Sequence, residues 1–193
     1  MMLQFRIELL GVDPPVWRRL LIPHNYTLWD LHVAIQDSMG WLDCHLHAFR
    51  IVGSPVTYGI PDEDGDDPVD TRPGWEALVR DVFTFVDPIG LYEYDFGDSW
   101  QHLVVFEDFV SGGKAVTRPK CIGGARRCPP EDCGGTHGYA EFLATLADPG
   151  HDERVSLLEW VGGRFDAEEF DAAAVKFDHP GKRWKQAFMD DEG

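Results

Sequence analysis

The chain lacks any run of the roughly 18–20 apolar residues that a membrane-spanning helix requires. Its first eight residues alternate like a β-strand, without the basic start and long apolar stretch of a signal peptide. We therefore expect a cytoplasmic protein with no membrane partner. In that compartment the 4 cysteines are expected to be thiols or metal ligands sooner than disulfides.

Basic residues are scarce: 17 Lys and Arg stand against 34 Asp and Glu, a formal net charge of −17. Affinity for nucleic acids depends on neutralising phosphates with basic side chains, so direct nucleic-acid binding is not expected of this acidic protein. A nucleic-acid accessory role would need a local patch such as Arg18-Arg19, whose pairing with acidic side chains is the simpler interpretation. The glycine motifs that cradle nucleotide phosphates are also absent.

The composition is that of one folded domain. In 193 residues, 44% are apolar and 12% aromatic, enough to form one sizeable core. Large aromatics such as Trp17, Trp41 and Trp100 are expected in this core, although a groove that stacks a base or a sugar ring is an alternative. We predict a single domain over residues 1–193.

Two β-hairpins are predicted from alternating apolar residues. The first pairs residues 5–9 with 16–22 across Asp13-Pro14-Pro15. The second pairs residues 91–96 with 101–110 around Gly97-Asp98, where glycine tolerates positive φ and aspartate bonds nearby backbone amides. Between the hairpins, residues 45–52 predict another strand.

Apolar residues recur at helical spacing after Thr27, which is the predicted N-cap of a helix that ends at Gly40. Further helices are predicted over residues 75–83, 139–146 and 155–161, and a last short one opening at 165–170. Strands concentrated early and helices late favour an α+β fold, with a mostly antiparallel sheet built from N-terminal hairpins and helices mainly in the C-terminal third.

Two segments are predicted as loops. Residues 61–74 contain an acidic run between prolines and glycines and are expected to be a flexible solvated loop. The acidic run resembles a calcium-binding loop only superficially, since Pro73 stands where the twelfth-position Glu belongs. Residues 119–135, rich in Cys, Gly and Pro, are expected to form an ordered loop without helix or strand.

A zinc site is one interpretation of the cysteine-rich loop. Cys121, Cys128, Cys133 and His137 offer four ligands within seventeen residues, and a structural zinc ion would order a loop that has no regular structure. The spacing differs from the common Cys-x2–4-Cys pairs. The alternative is that the cysteines pack as small apolar side chains and His137 is a surface residue.

A His/Asp cluster is the second candidate site. His45 and His47 lie two positions apart on a predicted strand, and the second hairpin contributes the remaining members, Asp95, Asp98 and His102. Together they would suit a divalent metal or acid–base catalysis. The alternative is structural: half-buried strand histidines and a turn aspartate.

Several motifs occur in the order found in the plasmid pRiA4b ORF-3-like family, which the chain resembles over nearly its whole length: Pro14-Pro15-Val16-Trp17-Arg18-Arg19, Gly40-Trp41, His45-Leu46-His47-x-Phe49, Tyr94-Asp95-Phe96-Gly97-Asp98-Ser99-Trp100-x-His102 and Cys128-Pro129-Pro130-Glu131-Asp132-Cys133. The resemblance implies an α+β domain without a settled activity, and a context in plasmids or mobile elements. It also implies that position 137 is not a dependable histidine, which makes His102 the alternative fourth zinc ligand.

Two functions follow as expectations. The first is a binding or interaction protein, accessory to a plasmid or mobile element, that holds a structural zinc ion in the cysteine loop. The second is a metal-dependent enzyme of unknown substrate that uses the His/Asp cluster. Neither the protein or small-molecule partner nor the reaction follows from the residues.

Overall fold

A computed structural model describes residues 1–61, 71–111 and 117–189. Within these ranges the strands form one eight-stranded sheet. Their bounds are β1 Met2–Leu9, β2 Trp17–Pro23, β3 His47–Ile51, β4 Thr57–Gly59, β5 Thr71–Pro73, β6 Ile89–Tyr94, β7 Trp100–Val110 and β8 Lys120–Ala125.

The sheet order is β5-β4-β3-β6-β7-β1-β2-β8. Every neighbouring pair is antiparallel except β4 and β5. The two predicted hairpins are confirmed as β1–β2 and β6–β7. The two hairpins lie side by side because β1 pairs with β7. Strand β3 pairs with the other edge of β6. The α+β class and the mostly antiparallel sheet are thereby confirmed.

The described helices are α1 Leu28–Met39, α2 Val79–Val82, α3 Gly135–Ala147, α4 Arg154–Trp160 and α5 Pro180–Phe188, with a 3₁₀ turn at Ala172–Ala174. Thr27 caps α1 in a reciprocal capping box with Asp30, and Gly40 ends it in the left-handed conformation. The long helix α1 lies early in the chain, so the helices are only partly gathered in the C-terminal third. The prediction of a helix that opens at 165–170 is wrong, because only residues 167 and 168 form a turn and the rest of this segment has no regular structure.

The core lies between one face of the sheet and α1. In β1 the alternate residues Leu3, Phe5, Ile7 and Leu9 are buried and join the inward face of α1 in one apolar cluster. Trp41 and Trp100 belong to this cluster, as expected of large aromatics. Trp17 does not, because it is only half-buried on β2, with Arg6 and Arg19 over its ring. None of the described helices is long and apolar enough to cross a lipid bilayer.

Arg18 occupies an inward position of β2 and is almost fully buried. Its guanidinium donates to the carbonyl oxygens of Ser38 and Ala125 and stacks on the Phe170 ring at 3.8 Å. Arg19, on the outward face, pairs with Glu107. Both side chains of the Arg18-Arg19 pair are therefore engaged in contacts within the fold.

Parts of both predicted loops are strands. Within residues 119–135 the loop prediction is wrong for β8, because Lys120–Ala125 pairs with β2 and so extends the sheet. Most of the acidic loop predicted at 61–74 falls on residues 62–70, outside the described residues. Of its remainder, Thr71–Pro73 is the strand β5.

The C-terminal helix α5 packs on the outer side of α1. Trp184 and Phe188 contact the Trp29 ring at centroid distances of 5.2 and 5.5 Å. Arg183 donates to Asp37 and Asp43 at 2.7 and 3.0 Å and also pairs with Asp178. These contacts make α5 one wall of the cavity described below.

Candidate metal centre

His45 and Asp95 meet where β3 begins and β6 ends. The backbone N–H of Asp95 donates to the Leu46 carbonyl, which brings the two segments together. Asp95 has a left-handed backbone, and its Oδ1 accepts from the Gly97 N–H, forming the turn between β6 and β7. Its other oxygen, Oδ2, lies 3.6 Å from His45 Nε2.

Asp132 approaches the same imidazole from the cysteine-rich segment. Its Oδ1 lies 3.0 Å from His45 Nε2. Two hydrogen bonds dock this segment on the end of α1: Trp41 Nε1 donates to the Pro129 carbonyl, and the Leu42 N–H donates to Glu131 Oε1. The centre therefore depends on contacts between distant parts of the chain.

Glu131 and Tyr94 form the inner side of the centre, and the exposed Cys44 lies beside them. The Tyr94 hydroxyl donates to Glu131 at 3.2 Å and accepts from the Cys44 N–H at 3.1 Å. Burial raises the pKa of the Glu131 carboxyl and, together with nearby Glu131, the pKa of the Tyr94 hydroxyl. Burial also raises the pKa of the Cys44 thiol. Metal binding to Cys44 would therefore displace a proton.

Two sets of possible metal ligands share His45: one with Asp95 and Asp132, the other with Cys44 and Glu131. Within each set the ligand atoms all lie within 4.8 Å of one another. In the described part of the chain, His45 is the only side chain that forms an ion pair with Asp95 or Asp132. Three carboxylates facing one imidazole leave an excess of negative charge that a divalent cation would offset.

The centre is open to solvent on one side. The Asp95 side chain is 11% exposed, His45 31% and Asp132 68%. Cys44 and His45 also line a cavity of about 880 Å³ that continues past His47 and Asp43 to α5. Among the described residues, Cys44 and His45 are the members of the centre that line this cavity, so they connect the two.

His47 lies in this cavity but not in the ligand set. Its ring stacks on His32 of α1, with centroids 3.5 Å apart and planes 7° apart. The prediction that His45 and His47 share a strand face assumed a regular strand from residue 45, whereas β3 begins only at His47. Burial, and secondarily His32, lowers the pKa of His47 well below its ordinary value.

Asp98 and His102 lie outside the centre, which corrects the predicted cluster. Asp98 accepts from the Gly134 N–H at 3.1 Å and so ties the β6–β7 turn to the start of α3. His102 is fully buried, with Nδ1 donating to the Trp100 carbonyl and its ring against Trp41. Of the five predicted residues, only His45 and Asp95 meet.

The four predicted zinc ligands do not converge either. Among the described residues, neither close-packed ligand set contains Cys121, Cys128, Cys133 or His137. Cys121 lies on β8 and its thiol donates to the Gly123 carbonyl, while His137 is exposed beside Glu141. Burial raises the pKa of Cys128 and, to about 12, that of Cys133. This arrangement favours packed thiols over a closed zinc site, and among the described residues neither ligand set contains His102.

The comparisons with known proteins agree with the motif resemblance. The family model described as "Plasmid pRiA4b ORF-3-like protein" matches residues 1–174. The chain belongs to this family. It is 38% identical over 176 residues to the uncharacterized protein y4hQ of Sinorhizobium fredii, covering 90% of this chain and 86% of that protein.

The crystal structure of MM3350 from Methanosarcina mazei, a protein of unknown function, shares the fold. Its TM-score is 0.83 at 37% identity, covering 91% of this chain and 98% of that one. Both relatives of this pRiA4b ORF-3-like protein are uncharacterised, so neither supplies an activity. The family match ends at residue 174, before α5 begins at Pro180.

Sequence reasoning missed three members of the centre in the pRiA4b ORF-3-like chain: Cys44, Glu131 and Asp132. A signal was present, because Glu131-Asp132 lies inside the Cys128–Cys133 motif that carries the resemblance. Cys44 precedes His45 directly but lies far from the other cysteines in the sequence.

Proposed function

We propose that this protein is a metal-dependent enzyme whose divalent ion is held by His45, Asp95 and Asp132, with Cys44 and Glu131 beside it. The ion would act as a Lewis acid on a small molecule in the adjoining cavity. The observation that carries this proposal is the position of His45 Nε2, at 3.0 Å from Asp132 Oδ1 and 3.6 Å from Asp95 Oδ2 at the rim of the cavity.

The donor set indicates the class of metal. Imidazole and carboxylate ligands, with a thiol in reach, suit Zn²⁺, Co²⁺, Mn²⁺ or Fe²⁺, whereas Mg²⁺ and Ca²⁺ prefer oxygen alone. Three protein ligands with a solvent-facing side are typical of catalytic zinc sites, and structural sites are usually closed by four ligands. The exposure of Asp132 supports the open type.

The test is a calorimetric titration of the chelator-treated protein with Zn²⁺ and Co²⁺. Asp95→Asn removes the charged ligand but keeps Oδ1 as acceptor for the Gly97 N–H, so the turn is retained. We expect one ion per chain and an affinity at least roughly tenfold weaker in Asp95→Asn, because the variant loses a charged donor.

Asp98→Asn is the matched control, since Asp98 belongs to the same turn but lies outside the centre. It should bind metal with nearly the wild-type Kd. Stoichiometric binding with an unchanged Kd in Asp95→Asn would contradict the proposed ligand, and absence of binding would contradict the proposed metal centre.

A binding or interaction role with a structural zinc ion in the cysteine loop stays a prediction, as does an accessory role in a plasmid or mobile element. Metal analysis distinguishes the two sites. A zinc ion in the loop would be lost in Cys128→Ser and retained in Asp95→Asn, whereas the proposed centre predicts the reverse.

A further inference from the structure

Arg127 is a half-buried arginine without an acceptor. Within the described ranges its guanidinium forms no ion pair and no hydrogen bond, and it lies over the Phe165 ring, 4.8 Å from the centroid. Every other buried or half-buried arginine in these ranges donates to a carboxylate or a backbone carbonyl: Arg6, Arg18, Arg19, Arg126, Arg154 and Arg183. A charge withdrawn from water is normally paired, so Arg127 suits an anionic ligand.

Arg127 lines a groove of about 580 Å³ between the end of α1 and the end of α4. The buried part of the lining includes Met39 and Trp41. Two large apolar side chains of the lining face solvent, Leu42 at 77% exposed and Trp160 at 49% exposed. This volume is typical of sites for small organic molecules, and exposed apolar side chains around a groove often mark such sites.

Glu131 is the one acidic residue in the described lining of this groove. Both of its carboxylate oxygens accept from the Tyr94 hydroxyl, at 3.2 and 3.4 Å, and Oε1 also accepts from the Leu42 N–H. In the described part of the chain it forms no ion pair with Arg127. The hydrogen bonds of Glu131 therefore lie toward the metal centre, and the positive charge of Arg127 remains for a ligand.

The charge and the walls of the groove together indicate the class of ligand. An arginine side chain stays charged across the physiological pH range, and its N–H donors match the two oxygens of a carboxylate. Arg127 is the one cation in the described lining, and the chain has a net charge of −17, so a monoanion fits better than a phosphate dianion. The aromatic walls, Trp160 and Phe165, favour a ligand with an aromatic ring.

We propose that this groove binds a monoanionic aromatic carboxylate, whose carboxylate pairs with Arg127 while its ring packs against Trp160 and Leu42. The site adjoins the metal centre, because Glu131 belongs to the groove lining and to one of the two ligand sets. It is nevertheless a separate site, since its contacts with the ligand involve none of the proposed metal ligands.

The test is a calorimetric titration of the full-length protein with 2-naphthoate and with its uncharged counterpart, 2-naphthylmethanol. A chelator is present, so that no metal ion competes for the carboxylate. Arg127→Met keeps an apolar stem beside Phe165 and removes the charge. We expect 2-naphthoate to bind this variant at least roughly tenfold more weakly, because a charge-assisted pair is lost. The wild type should prefer 2-naphthoate to 2-naphthylmethanol, and Arg127→Lys should recover part of the affinity.

Arg164→Met is the matched control, because it removes an equal charge from an exposed arginine that pairs with Asp166 outside the groove lining. It should bind 2-naphthoate with nearly the wild-type Kd. Trp160→Ala should weaken the binding of both naphthalene compounds, because both pack their rings on that wall.

Three outcomes would overturn the proposal. Absence of saturable 2-naphthoate binding to the wild type up to about 1 mM would exclude the site. Equal 2-naphthoate affinity in wild type and Arg127→Met, or equal affinity of the wild type for the two naphthalene compounds, would exclude the pairing with Arg127. Tighter binding of inorganic phosphate than of 2-naphthoate would exclude the aromatic class.

Discussion

Aspartates occupy three sharp turns in and beside the metal centre. Asp43, Asp95 and Asp132 all have positive φ, at 61°, 55° and 55°. Aspartate tolerates this left-handed backbone better than most residues, because its short side chain can bond nearby amides. Each of the three turns therefore provides a sharp bend and a carboxylate at the same position.

His102 gives a pH prediction at the residue scale. Burial lowers its pKa from 6.5 to about 4. Above pH 6.5 both folded and unfolded chains hold this group neutral, whereas between pH 6.5 and 4 unfolding takes up a proton. The His102 contribution to stability is therefore present above pH 6.5 and lost as the pH falls toward 4, by roughly 3 kcal/mol.

Urea unfolding of wild type and His102→Gln at several pH values between 7 and 4 measures this contribution. The wild type should lose more stability than the variant over that range, whatever their difference at pH 7. His137→Gln, which changes an exposed histidine, should follow the wild type. Parallel curves for wild type and His102→Gln would show that the assignment is wrong.

The residues of the centre illustrate what a sequence can and cannot reveal. His45 and Asp95 are identifiable because histidines and aspartates cluster in two short motifs. The separation of His47 from His45 depends on where β3 begins, and the approach of Asp132 depends on hydrogen bonds from Trp41 and Leu42 across the fold. Both the start of β3 and the approach of Asp132 depend on contacts between distant parts of the chain, so the spacing of residues in the sequence does not reveal them.

At the scale of secondary-structure elements, those with a signal in their own residues are the ones that the sequence predicts. Helix α1 is predictable because its start and end carry their own caps, Thr27 and Gly40. Strands β4 and β5 have three residues each, too few to show the alternation of apolar and polar residues. Strand β8 contains two glycines, which are uncommon inside strands and hide its alternation. Helix α5, which begins with Pro180-Gly181, is not predicted from the sequence, because its order comes from docking on α1.

The docking of α5 gives a prediction at this scale. Arg183→Met leaves the carboxylates of Asp37 and Asp43, each 7% exposed, without their cation. Breaking a buried ion pair on one side costs about 3 kcal/mol or more, because the remaining charge is left buried. We expect a loss of that order in the free energy of unfolding, followed by tryptophan fluorescence.

Lys182→Met on the same helix is the control, since Lys182 is exposed and has no ion pair within the described residues. Its stability should stay within about 0.5 kcal/mol of wild type. If Arg183→Met is equally harmless, then the three aspartates do not depend on Arg183 and the helix is held by Trp184 and Phe188.

For the whole molecule, the dominant property is the net charge of −17. Like charges on a compact chain repel, and salt screens this repulsion within about 10 Å at 0.1 M. Raising NaCl from about 20 to about 300 mM should increase the free energy of urea-induced unfolding, by on the order of 1 kcal/mol. KCl should act equally, because screening depends on ionic strength; a decrease, or an effect of one salt alone, would contradict this explanation.

The dispersed origin of the metal centre also determines when it can form. His45 and Asp132 lie 87 positions apart, and Asp95 lies between them on a turn that exists only after β6 and β7 have paired. Closing such long loops costs entropy before any ligand contact is gained. We therefore expect the centre to be among the last features to assemble during folding, so that an ion bound there would be acquired by a chain that has already folded.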